Sequence, residues 1–149
     1  LERPEVEPLV WAIDAWHAPM YYVPRDCPRA CFWAIETTTA HDARRFGLER
    51  GHRFTMVVEE AWWERIQAAT VYRYGLPPAT FELNDVTAGH YVSRESVTPL
   101  AVEALPDLPR AIRAESVDLR VMPRLRPLWA EIIASTVAFS GTRLRNARD

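Results

Sequence analysis

Apolar residues in this chain come in short runs broken by polar or proline-bearing stretches, and the spacing within each run predicts its element. Residues 9–13 (LVWAI) form a continuous apolar run, which predicts a buried strand. Asp14 follows, placed to cap a short helix over residues 15–22, with Pro19 restricting where it begins. Pro24 and Pro28 bracket an irregular loop, and residues 30–36 (ACFWAIE) predict a second strand. Thr39 reads as a helix N-cap with Asp42 as a weak capping-box partner, and Gly47 or Gly51 as the stop. A third strand is expected at 53–59 (RFTMVVE) and a helix at 60–69, with Trp62, Ile66 and Ala69 on one face.

The second half continues in the same manner. Residues 70–75 (TVYRYG) read as a strand ended by Pro77 and Pro78, residues 81–89 as a loop, 90–93 as a short strand, and 97–104 as another with Pro99 marking an edge or bulge. Asp107 caps a helix that carries Pro109 in its first turn and runs to about Ala114. Residues 117–122 (VDLRVM) alternate as a strand. Leu125, Leu128, Trp129, Ile132, Ile133 and Val137 recur at helical spacing, which predicts a long C-terminal helix packed on the sheet with Trp129 buried, ended by Gly141. Strands and helices intermix without a strict βα repeat. The expected class is therefore α+β: a mixed, mostly antiparallel sheet of about six to seven short strands with four to five helices.

Length and composition narrow this further. At 149 residues the chain fits a single globular domain, with residues 1–8 as an extended polar lead-in and 141–149 as an Arg-rich tail. With 48% hydrophobic and 26% charged residues the composition is globular and not disordered. No apolar run approaches the ~20 residues of a membrane span, and no signal peptide is evident, so no membrane partner and a cytoplasmic location are expected. A net charge of −2 gives no field favouring nucleic acid. All 18 basic residues are Arg, which excludes lysine-based covalent catalysis and a Walker-type phosphate loop.

Several side chains could carry chemistry. Cys27-x-x-x-Cys31 with His17 and His41 offers four possible metal ligands, but the spacing lacks a second close pair and suits core packing better than zinc, so no metal site is expected. Cys27 has Arg25, Asp26 and Arg29 nearby and His17 as a conceivable base, yet no thiol-protease signature surrounds it. The segment from His17 to Arg29 reads better as a binding site: an imidazole, the phenols of Tyr21 and Tyr22, and the guanidiniums of Arg25 and Arg29, which suit phosphate, carboxylate or an aromatic base. Glu95, flanked by Ser93 and Arg94 between two short strands, could project from a sheet and stabilise a developing cation.

The strings VWAIDAWHAPMYYVPRDCPR, YVSRESVTPLAVE and FSGTRLRNA resemble an uncharacterised family of small bacterial proteins over residues 9–147. Members of that family carry a further His-bearing segment upstream, so an opening at Leu1 without Met reads as a truncated start. The order of elements is also similar to the ADP-ribosyltransferase type. That resemblance implies a nicotinamide nucleotide, NAD, as substrate rather than a required cofactor. It further implies that Tyr21 or Tyr22 packs on the nicotinamide, and that Glu95 holds the ribose and stabilises an oxocarbenium-like transition state. His17, Arg25 and Arg94 would assist binding. The family's first-motif residue would lie upstream of Leu1, and Ser93 stands where an E-x-E form has its first Glu. The alternative is a non-catalytic interaction protein using exposed tryptophan, with Trp16 and Trp63 the expected exposed pair. No oligomeric state is implied.

Overall fold

A computed structural model describes residues 8–149; the expected lead-in at 1–8 therefore lies almost wholly outside the described residues. In chain order the strands and α-helices are β1 (Val10–Ile13), β2 (Arg29–Trp33), α1 (Ala40–Phe46), β3 (Phe54–Glu59), α2 (Trp63–Ala68), β4 (Val71–Gly75), β5 (Glu82–Asp85), β6 (His90–Ser93), β7 (Ala101–Leu105), α3 (Leu108–Ala114), β8 (Val117–Met122), α4 (Arg126–Ile133) and β9 (Ala138–Thr142). The class is α+β, with nine strands and four α-helices among the described residues. These group into two compact units, one from residues 8–18 and 72–105, the other from 19–71 and 106–149.

The larger unit is built on a four-stranded sheet of order β8-β3-β2-β9. β2 is antiparallel to both neighbours, while β3 and β8 run parallel. All six residues of β3 are buried, as expected of a central strand covered on both faces, and this explains its unbroken apolar run. One core cluster includes Phe32, Phe46, Val57, Leu125 and Ile132, with Leu128 and Trp129 packed on it. Burying each such side chain fully is worth about 1.5–3 kcal/mol.

Helix ends in this unit follow their local chemistry. The Thr39 hydroxyl accepts from the Asp42 backbone N–H, and Gly47 closes α1 in the left-handed conformation at φ 69°. Asp107 accepts from the Arg110 N–H at the start of α3. Asp42 does not complete a capping box. Its carboxylate instead accepts the backbone N–H and hydroxyl of Thr136, at 2.9 and 2.6 Å, and the Thr136 hydroxyl oxygen accepts the Thr39 N–H.

The long C-terminal helix is a correction. α4 is only two turns long, with Pro127 in its first turn, and it ends at Ile133. The chain then turns through residues 134–137 and returns as the edge strand β9 beside β2. Gly141, expected to stop a helix, is needed for close packing: a Cβ there would stand 2.5 Å from the Trp129 ring and 2.7 Å from Leu144. The region read as a polar tail also packs, through Leu144 and Ala147, on the core.

The smaller unit holds two sheets. β6 lies between β1 and β5, antiparallel to both, with Val10 opposite Ser93 and Ile13 opposite His90. β5 falls where a loop was expected. Its residues ELND are all exposed and carry no alternation, so nothing in the sequence marked it. Trp11, expected to be buried, is 57% exposed because β1 is an edge strand. β4 pairs with β7; Gly75 lies beside Ala101 while Arg73 forms an ion pair with Glu103, so the two strands run in opposite directions. β7 starts at Ala101 rather than 97, beyond the Pro99 break. No described helix is long and apolar enough to cross a membrane.

Candidate functional site

In the larger unit, the PRDCPR loop and the TRLRNA segment meet. Register alone begins this, since Arg29 opens β2 opposite Thr142 at the end of β9. The following residue, Arg143, takes a left-handed backbone (φ 55°, ψ 25°), unusual for a side chain of its size. That turn lets its Nε donate to the Arg25 carbonyl at 3.3 Å and lets the Asn146 amide donate to the Asp26 carbonyl at 2.8 Å. Asp26 lies 3.9 Å from the Arg143 guanidinium, a loose pair.

Arg29 is the buried member of this corner, 3% exposed, and its partners are neutral. Its Nε donates to the Met20 carbonyl at 2.8 Å and its Nη1 to the Cys27 carbonyl at 3.1 Å. The guanidinium sits 4.9 Å from the centroid of the Tyr21 ring. Of the expected tyrosine pair, Tyr21 is half-buried with a solvent-facing portion, whereas Tyr22 is buried. Burial raises the Tyr21 phenol pKa above its usual value against the opposing pull of Arg29 and Arg143, so it stays protonated at neutral pH. Arg25 is exposed on the loop.

The two cysteines are inert. Both are free and buried. Burial pushes each thiol up to about 12, with Arg29 only partly opposing it, which removes the thiolate a nucleophile or metal ligand needs. Among the described residues no cluster of three His, Cys, Asp or Glu side chains could hold a metal ion. A shallow cavity of about 80 Å³ between Trp33, Gly47, His52 and Thr55 is well below the ~300 Å³ of small-molecule pockets.

The smaller unit carries the other expected residues. His17 is buried and fixed by Asp14, whose carboxylate accepts its backbone N–H at 2.8 Å and contacts its Nδ1 at 2.9 and 3.0 Å. Burial works to raise the Asp14 pKa, but hydrogen bonds from His17 and the Trp16 backbone outweigh it and leave the carboxyl below its ordinary value. Gly89 (φ 66°) packs against both, since a Cβ there would stand 2.3 Å from His17 Nδ1 and 2.5 Å from Asp14 Oδ2.

Glu95 lies just past β6 with its carboxylate exposed, next to the exposed Arg94. The turn that presents it is anchored by Ser93, 1% exposed. The Ser93 hydroxyl donates to the Thr80 hydroxyl at 2.9 Å and accepts the Glu95 N–H at 3.1 Å.

A family profile matches residues 2–147, which is nearly the whole chain. The chain belongs to DUF6886, a family of unknown function. No match was found among curated proteins or among solved structures. In this DUF6886 chain, His17, Arg94 and Glu95 belong to the smaller unit and Tyr21, Tyr22 and Arg25 to the larger. Within each unit, Arg94 and Glu95 share one turn, and Tyr21 and Arg25 share the corner under which Arg29 is buried. Sequence reasoning missed Arg143, Asn146 and the anchoring role of Ser93; it placed Asp14 as a cap, and the Asp14 carboxylate does accept the His17 backbone N–H, but its hold on the imidazole was not foreseen. Only the specificity of the TRLRNA string hinted at the first two.

Proposed function

We propose that this DUF6886 chain is a nicotinamide-nucleotide-binding domain of ADP-ribosyltransferase type that takes NAD as substrate, with Glu95 as the catalytic carboxylate. The observation that carries the reading is the presentation of Glu95: an exposed carboxylate on a turn pinned by a buried serine. A group that must meet developing positive charge works best when its support is rigid and its own atoms are open to substrate. Tyr21 supports the same reading, because its partly exposed ring rests against a buried guanidinium and offers a surface for a flat heterocycle. Glu95 would accept a ribose hydroxyl and stabilise the sugar cation as nicotinamide departs and a nucleophile, water or an acceptor group, adds to the same carbon, with Arg94 in the same turn assisting binding. Tyr22, being buried, would act through packing.

The test is nicotinamide release from NAD, read alongside the melting temperature. A ligand present at a hundred times its Kd adds about 2.7 kcal/mol to folded-state stability, so millimolar NAD should raise the melting temperature visibly. Glu95→Gln should keep the fold and lower turnover by about 10²-fold or more. Turnover in Glu95→Gln equal to the wild-type rate sinks the assignment.

A second reading, an interaction protein, is favoured by the β4–β7 pair, where Tyr72, Tyr74 and Val102 are each more than half exposed. Trp11 and Trp16 add to the exposed aromatic area; Trp63, expected among them, is only partly exposed. Sedimentation velocity over a hundredfold concentration range decides it, since an unchanged monomer with no NAD response would leave neither self-association nor transfer standing.

A further inference from the structure

We propose that the corner where residues 24–29 meet residues 142–147 is a receptor for a phosphate-type oxyanion, formed by Arg143 and Arg25 above the buried Arg29, with Tyr21 at its side. This deepens the nucleotide reading, on which it rests for its natural ligand, yet the corner itself is argued from its own charges. The guanidiniums of Arg29 and Arg143 meet here beside one loosely placed carboxylate, Asp26, 3.9 Å from Arg143, while the other carboxylate nearby, Glu59, is taken up by the Leu125 and Arg148 backbone N–H groups. Among the described residues Arg29 is committed to two backbone carbonyls and an aromatic face, none of which carries a charge to balance it. A buried cation without a counter-ion is costly, and an arriving oxyanion supplies one. Arg143 is close enough for its positive charge to oppose ionisation of Arg29, so the two cations repel until an anion stands between them or beside them.

The backbone supports the same conclusion. Arg143 occupies a left-handed conformation that Gly or Asn would adopt with less strain, and it is one of two non-glycine residues at positive φ among the described residues. The strain aims its Nε at the Arg25 carbonyl and so binds the two loops together, with 118 positions of sequence between them. Arg25 is exposed on that loop, and its guanidinium is the second fork we assign to phosphate oxygens.

The experiment is calorimetric titration of the full chain with inorganic pyrophosphate and, separately, with NAD, at matched ionic strength. The variants are Arg143→Asn and Arg25→Gln, with Arg113→Gln, an exposed arginine on α3, as the charge-matched control. Asn tolerates the left-handed backbone, so Arg143→Asn removes the charge without demanding a new fold, and an unchanged circular dichroism melt verifies this. Pyrophosphate should bind the wild type, bind about tenfold or more weakly to Arg143→Asn and Arg25→Gln, and bind Arg113→Gln as it binds the wild type. No pyrophosphate binding by the wild type, or equal binding by both arginine variants, overturns the proposal. Pyrophosphate binding with no NAD response keeps the corner and retires the NAD reading. NAD binding unaltered in both arginine variants keeps the NAD reading and overturns the corner as the place where its phosphates bind.

Discussion

Gly51 and Gly89 share a positive φ, 75° and 66°, but sit in different surroundings. Open space surrounds the site of a Cβ on Gly51, so Gly51→Ala should cost only backbone strain, about 1 kcal/mol. Gly89→Ala meets the same strain and also drives a methyl into the Asp14–His17 pair, so its melting temperature should fall by clearly more than that of Gly51→Ala. Equal losses would show that the pair yields freely and is not a fixed feature. The thiols give a second single-residue expectation. With both pushed up to about 12 and buried, neither Cys27 nor Cys31 should react with a thiol reagent at pH 8 until the chain is unfolded. A native-state rate near that of a free thiol would contradict the burial. The sequence could set out Cys27 and Cys31 as candidates but could not reveal their inertness, which comes from β2 and its neighbours closing over them.

At the scale of elements, the Asp42 carboxylate ties the start of α1 to Thr136, 94 positions later. Hydrogen bonds from the Thr136 hydroxyl, then from its backbone N–H, lower the Asp42 pKa against the opposing effect of burial, with Thr39 helping. A carboxyl depressed in the folded state contributes stability above its unfolded pKa, about 3.9, and loses it as pH falls through the lower folded value. Asp42→Asn should therefore be less stable than the wild type at pH 7, and the gap should narrow steadily below about pH 4; a gap independent of pH would remove the carboxylate from the explanation. Thr39 and Asp107 were legible as caps because capping is decided within four residues, and β3 was legible because its run is unbroken. β5 and β9 were not. β5 is wholly exposed, and β9 follows a helical apolar stripe that runs on to Val137 in the sequence, while the chain itself leaves the helix at Ile133. The corner of Arg25 and Arg143 was half legible: the residue types on PRDCPR pointed to an anion, but a partner 118 positions away is set by the register of β2 and β9.

For the molecule as a whole, the larger unit is assembled from two separate stretches of chain, with most of the smaller unit written between them. One buried group joins those stretches. Glu59, 0% exposed at the end of β3, accepts the Leu125 N–H at 3.0 Å and the Arg148 N–H at 3.1 and 3.2 Å. Glu59→Ala would strand both donors and open a cavity, for a loss of about 2–4 kcal/mol, measurable by urea unfolding; a loss within 0.5 kcal/mol, the size of an ordinary surface substitution, would show that water replaces the carboxylate without penalty. The position of that clasp also bears on biosynthesis. A ribosome makes β2 and β3 well before their sheet partners β8 and β9, and the Arg148 amide that closes on Glu59 comes later still. The earlier strands must therefore keep their apolar faces uncovered while later segments are made, and the clasp on Glu59 closes only once 89 further residues have been added.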